Sequence, residues 1–193
     1  SVLQKQHTAE SRLAWAVILC TIPAGLAGLI VGDYIDANLR SALVIALTTV
    51  LFGLLLGVSD VTGQRERDEY ALRWRDVLII GLGQASALIP GTSRSGVTMT
   101  LALFMGLTRQ AAARFSFLIS IPIIFLAGGA KTVELIQQAD PVIWGDLLLG
   151  VVMSGVSAYL CIRAFISLLD RIGMWPFVIY RLLLGAVLFF WFI

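Results

Sequence analysis

Residues 77–108 read VLIIGLGQASALIPGTSRSGVTMTLALFMGLT, two apolar halves around a polar centre that carries one arginine. Pro90 removes an N–H donor and Gly91 accepts backbone angles closed to other residues, so the run splits into two short helical segments joined near Pro90 and Gly91. Its length is short for two membrane crossings, which take about 20 residues each. An arginine at a bilayer centre costs about 2.5–3.5 kcal/mol on insertion scales, so Arg94 is a functional-site candidate facing protein or a water-filled cavity. The run therefore reads as a re-entrant hairpin of two half-helices rather than as one buried span.

The rest of the chain supplies the membrane that this reading needs. Of 193 residues, 59% are hydrophobic and only 13% charged, with a mean hydropathy of +0.91. A water-soluble domain carries about 25% charged residues, so that class is excluded. Uncharged runs cover 13–31, 41–59, 115–130 and 147–162, and a last run from Trp175 is broken only by Arg181. These predict an all-α, polytopic integral membrane protein: about five transmembrane helices plus the hairpin at about 77–108, in a single transmembrane domain over 1–193. Trp74, Trp144 and Trp175 stand at run edges, as interfacial aromatics do.

Lys and Arg are unevenly spread among the connections. Two precede Leu13, one lies in 32–40, four in 60–76, two in 106–114, one in 131–146 and two in 163–174. The positive-inside rule places the richer connections in the cytoplasm. The two that flank 77–108 then share a side, so the run between them crosses an even number of times or not at all. The net charge of +2 and the lack of a basic cluster exclude nucleic acid as a partner.

At the hairpin tip every polar group is a donor and none is acidic. Ser93 or Ser95 is placed to cap the following helix, whose positive N-terminal end favours an anion. Arg94 presents a planar fork matched to phosphate oxygens. Ser95 and Thr98, three residues apart, are expected to set two hydroxyls on one helix face. Gly91 and Thr92 complete the cradle, and Gln84 lies about two turns before it. This is the donor set of a phosphate or pyrophosphate site within a membrane. Helix packing explains the glycines but not the arginine.

The string Pro90-Gly91-Thr92-Ser93-Arg94-Ser95-Gly96-Val97-Thr98, with Gln84 upstream and AAARFSFLISIP (111–122) downstream, resembles the second signature of the bacterial undecaprenyl pyrophosphate phosphatase family, the bacitracin-resistance type. Pro176 to Arg181 is similar to the family's C-terminal Pro-Phe-x-x-Tyr-Arg stretch. The resemblance implies two inverted-topology repeats, each with a re-entrant hairpin, in the bacterial inner membrane. It implies hydrolysis of undecaprenyl diphosphate to undecaprenyl phosphate, the lipid carrier of cell-wall synthesis. Ser93, Arg94 and Thr98 are then the catalytic candidates, and Gly91, Thr92, Ser95, Gln84 and Arg181 the substrate-binding ones.

The family's glutamate-rich N-terminal signature has no counterpart among these residues, which predicts that a preceding segment of the same protein is a partner of this chain. The other expected partners are the polyprenyl diphosphate and membrane lipids, and a homodimer is compatible with the reading. A divalent cation, Mg²⁺ or Ca²⁺, is expected to accompany the diphosphate, with no site identifiable in the chain. A lipid flippase or secondary transporter is the alternative, since broken helices meeting at mid-membrane also build transporters.

The remaining features read more plainly. Arg65 to Glu69 reads as a solvated loop, His7 as a hydrated linker residue, Gly25 and Gly28 as close helix contacts, and Cys20 and Cys161 as small hydrophobes.

Overall fold

The computed structural model describes residues 8–137 and 144–192; His7 lies outside them. Seven α-helices follow in order: α1 (Ala9–Asn38), α2 (Ala42–Thr62), α3 (Trp74–Ala85), α4 (Arg94–Phe104), α5 (Arg109–Gln137), α6 (Trp144–Ile172) and α7 (Trp175–Phe192). No β-strand occurs among the described residues. Five helices, α1, α2, α5, α6 and α7, are long and apolar enough to cross a membrane, as the uncharged runs predict. Thr8 and Ser41 begin α1 and α2, their hydroxyl oxygens accepting from the N–H groups of Ser11 and Val44.

The short pair α3 and α4 forms a hairpin whose two ends meet. The loop before α3 returns over the end of α4: Glu66 and Arg67 donate their N–H groups to the Gly106 carbonyl at 3.1 and 3.0 Å, and Thr108 N–H donates to the Arg67 carbonyl at 2.8 Å. Between the helices, a 3-10 turn (Ser86–Leu88) and the Pro90 to Ser93 loop reverse the chain. The tip of that loop lies against Thr48 and Thr49 of α2. Gly63, at the other end of α2, lies against the Leu103 carbonyl. At 1.5 Å per helical residue the hairpin thus runs about 21 Å alongside a 31 Å helix, and its tip stops short of the far end.

Helix α7 runs antiparallel to α2, with Met174 beside Asp60, Val178 beside Gly57, Arg181 beside Gly53, and Gly185 beside Ala46 and Val50. The glycines let the two backbones approach, as small residues do where lipid gives helices no hydrophobic reason to associate. Elsewhere α5, α6 and α7 meet through Phe117, Phe165 and Phe177, whose adjacent ring centroids are 5.6 and 4.8 Å apart. Phe115, Ile119, Leu169, Met174 and Val178 fill the core beside them. The first five turns of α6 are exposed on all sides and carry Leu, Val, Met and Tyr, a composition suited to lipid. Trp74, Trp144 and Trp175 are each the first residue of a helix and half-exposed or more.

The end where the hairpin begins and finishes is held by buried ion pairs. Asp60 is almost fully buried and takes both Nε and Nη2 of Arg109, at 2.6 and 2.9 Å. Arg67 bonds Asp76 at 2.6 Å and the Met105 and Ala71 carbonyls at 2.7 and 2.5 Å. Glu69 is buried and pairs with Arg114 at 3.2 Å. The Arg65 to Glu69 stretch is therefore not simply a solvated loop. Its charges staple the hairpin's two ends together, because backbone pairing with 106–108 brings them under cover, where an unpaired charge would be costly.

Candidate active site

The loop Pro90-Gly91-Thr92-Ser93 has a shape fixed by backbone angles few residues adopt. Gly91 sits at φ +89° and Ser93 at φ +66°, ψ 110°. Positive φ costs a non-glycine residue of order 1–3 kcal/mol outside the ordinary wells and persists only where the surroundings over-determine it. Here they do. Thr48 Oγ1 donates to the Pro90 carbonyl at 2.7 Å and Thr49 Oγ1 to the Gly91 carbonyl at 3.2 Å. From α7, Arg181 Nη2 donates to the Gly91 and Thr92 carbonyls at 2.8 and 2.9 Å, while Nε reaches the Thr49 carbonyl at 3.3 Å. A Cβ on Gly91 would collide with Thr48 Oγ1 and stand 2.5 Å from the Ile45 carbonyl, so only glycine fits.

Ser93 begins α4: its Oγ accepts the Gly96 N–H at 3.3 Å, as the sequence leads one to expect of Ser93 or Ser95. Because that oxygen accepts, its own proton is left for Ser95 Oγ or for a ligand. Ser95 Oγ lies 3.5 Å from Ser93 Oγ. Thr98 is placed differently from the expected shared face with Ser95. It is buried, and its hydroxyl lies 2.7 Å from Ser116 of α5 and donates back to the Arg94 and Ser95 carbonyls. Packing of α4 on α5 turns that face inward.

The side chains at the tip diverge into two cavities. One, of about 190 Å³, is lined by Ser93, Ser95, Tyr180 and Arg181 together with Phe165 and Phe177. The other, of about 360 Å³, lies between α1, α5 and the 3-10 turn, and holds Arg94 and Gln84. Buried Nη1 of Arg94 has no hydrogen-bond partner among the described residues. Gln84 is 1% exposed; its Nε2 reaches the Cys20 carbonyl at 3.3 Å, and its Oε1 is unpartnered. A buried guanidinium nitrogen without an acceptor is costly, which favours an anionic ligand beside it. The arrangement binds negative charge. Among the described residues no three of His, Cys, Asp and Glu converge, and the tip carries no carboxylate, so these side chains do not fit a metal site of their own.

Thr48, Thr49 and Ser116 escape sequence reasoning. The only signal for the first two is a hydroxyl pair in the middle of an apolar run. Arg181, expected at the substrate, lines the cavity of Ser93 and Ser95 and spends Nε and Nη2 on backbone carbonyls that shape the loop.

Comparison with known proteins gives a consistent picture. Residues 1–187 match the family described as bacitracin resistance protein BacA. Among similar proteins, undecaprenyl-diphosphatase 2 of Stutzerimonas stutzeri (strain A1501) is 59% identical over 191 residues, covering 97% of this chain and 71% of its own. The undecaprenyl-diphosphatase of Thioalkalivibrio sulfidiphilus (strain HL-EbGR7) is 59% identical over 186 residues, covering 96% and 70%. That of Nitrosococcus oceani is 54% identical over 192 residues, covering 100% and 72%.

Proposed function

As the chain belongs to the bacitracin resistance protein BacA family, we propose that it is a multi-pass membrane phosphatase that hydrolyses undecaprenyl diphosphate to undecaprenyl phosphate and inorganic phosphate. The setting is the bacterial inner membrane, and the product is the lipid carrier of cell-wall synthesis. The observation that carries this reading is the buried, unpartnered Arg94 Nη1 at the tip of a hairpin inside an apolar bundle. In the reaction a water oxygen forms a bond to the terminal phosphorus, and the bond from that phosphorus to the bridging oxygen breaks. Charge then grows on the leaving phosphate, and preorganised donors in a water-poor site stabilise such charge strongly.

Arg94 is assigned the diphosphate oxygens in the larger cavity, and Ser93 and Ser95, which line the smaller one, are hydroxyl donors on the other side of the same tip. Gly91 and Thr92 shape the loop, Gln84 backs the cavity, and Thr98 positions α4 on α5. Arg181 acts by holding the loop. None of these groups is a base, and activation of water needs one. Mg²⁺ or Ca²⁺ would be carried in with the diphosphate and would offset its charge, since the tip offers no carboxylate to hold it.

A flippase for a phosphorylated lipid is the other reading of a broken-helix site. The two differ in detergent, where no second compartment exists. Purified full-length protein is expected to release inorganic phosphate from undecaprenyl diphosphate there; absence of release, with transfer between leaflets in vesicles, would establish the flippase.

The hairpin is further proposed to be re-entrant from the cytoplasmic side, since the ends of α3 and α4 meet where the flanking connections carry six arginines, Arg65, Arg67, Arg73, Arg75, Arg109 and Arg114. Cysteines placed at exposed Gln64 and at Gln110, with Cys20 and Cys161 replaced, are expected to stay unlabelled by an impermeant external thiol reagent, while one at exposed Ala37 reacts. Labelling of one of the first two without the other would mean a single crossing between them.

A further inference from the structure

Gly25 and Gly28 read, in sequence, as close helix contacts. In the structure a Cβ on Gly25 would meet nothing within 4 Å, and one on Gly28 only Leu88 Cδ2 at 3.8 Å. Among the described residues these glycines pack against no neighbouring helix. With Ala24 they form one wall of the 360 Å³ cavity that holds Arg94 and Gln84, opposite Ile123, Leu126 and Ala127 of α5. The volume lies in the ~300–1,000 Å³ range of ligand pockets.

The cavity has two chemically distinct ends. One is lined by Arg94 and by Gln84, which is 1% exposed; Arg94 Nη1 and Gln84 Oε1 are buried and have no hydrogen-bond partner among the described residues. Everything else that lines it is apolar or glycine. On its α5 wall Ile123 is part-buried while Leu126 and Ala127 are exposed, so it opens sideways between α1 and α5. A free phosphate would use one end of this space and leave the apolar walls unmatched. An amphiphile with an anionic head joined directly to a hydrocarbon chain uses both.

We propose that this cavity between α1 and α5 receives the isoprene units nearest the diphosphate, with Ala24, Gly25 and Gly28 leaving room for their methyl branches. The inference rests on the reading of Arg94 as the diphosphate clamp and adds the path of the chain. Exit between α1 and α5 lets the remainder of a long prenyl chain stay in the bilayer, so the site needs no tunnel long enough for the whole lipid.

Gly25→Phe fills the cavity from the α1 side, at a helical position where replacing glycine does not weaken the helix. In purified full-length protein, KM for undecaprenyl diphosphate is expected to rise about tenfold, the discrimination that a few misplaced carbons give in an apolar pocket. The inhibition constant of inorganic pyrophosphate, which has no chain, is expected to stay within about twofold. Leu29→Phe, on an outward face of α1, is expected to change neither.

The inference is overturned if both constants rise together or if neither moves. Loss of thermal stability in Gly25→Phe would also overturn it, because a protein segment would then occupy the space. A diazirine-bearing prenyl diphosphate supplies a readout independent of hydrolysis: its crosslinks are expected on 24–28 and 123–127. Crosslinks there without phosphate release would retain the cavity and reject the phosphatase, while release with crosslinks elsewhere would do the reverse.

Discussion

Arg94→Lys is expected to lower phosphate release from undecaprenyl diphosphate by about 10²–10³-fold, the usual loss when one well-placed donor to developing charge is removed. Lysine keeps the positive charge but not the planar fork, and its single nitrogen cannot serve two phosphate oxygens in the guanidinium's fixed geometry. Nη1 has no hydrogen-bond partner among the described residues for the substitution to remove. The amount and thermal stability of membrane-inserted protein are therefore expected to match wild type. Near-normal turnover in the lysine variant would remove Arg94 from the site.

Arg181→Gln is expected to cost about as much activity for a different reason. Its Nε and Nη2 hold the carbonyls of Thr49, Gly91 and Thr92, and with them the positive-φ conformations of Gly91 and Ser93. Glutamine is too short to span from α7 to the loop, so the loop relaxes and Arg94 leaves its productive position. A misplacement of about 1 Å costs on the order of 10²-fold in rate. Two readouts separate this from loss of a phosphate ligand. Amide exchange at 90–96 is expected to quicken in Arg181→Gln and to stay unchanged in Arg94→Lys. The double variant is expected to fall little below Arg94→Lys alone, since residues that act through one site are not additive. Additive losses with unchanged exchange would make Arg181 an independent ligand.

The two arginines also show what was legible in the sequence. Both stand in apolar runs where charge is expensive, and that cost marked them as special without saying what each touches. Arg94 follows a helix-breaking Pro-Gly pair, so its place at a hairpin tip followed from local rules. The partners of Arg181 lie 89 to 132 residues away in sequence, and only the packing of α7 on α2 supplies them.

Thr98 shows the same limit. Its three-residue spacing from Ser95 is a property of one helix, whereas its burial depends on where α5 lies. The five spans and the hairpin were legible because each is set by hydropathy and chain breaks within a short window. The ion-paired base was not, because Asp60, Glu69, Arg109 and Arg114 resemble ordinary loop charges until the loop folds over 106–108. Gly25 and Gly28 were misleading for a related reason: spacing marks a small-residue face but not whether a helix or a cavity lies beyond it.

The central claim is that the hairpin tip holds a diphosphate on Arg94 inside the membrane. Its most direct test is a structure of the full-length protein bound to a polyprenyl methylenediphosphonate, which has no scissile bridging oxygen. The account predicts a phosphonate oxygen about 2.7–3.0 Å from Arg94 Nη1, with the chain leaving between α1 and α5. A phosphonate seated instead among the arginines at the base of the hairpin, with Arg94 bonded to a protein group, would contradict it.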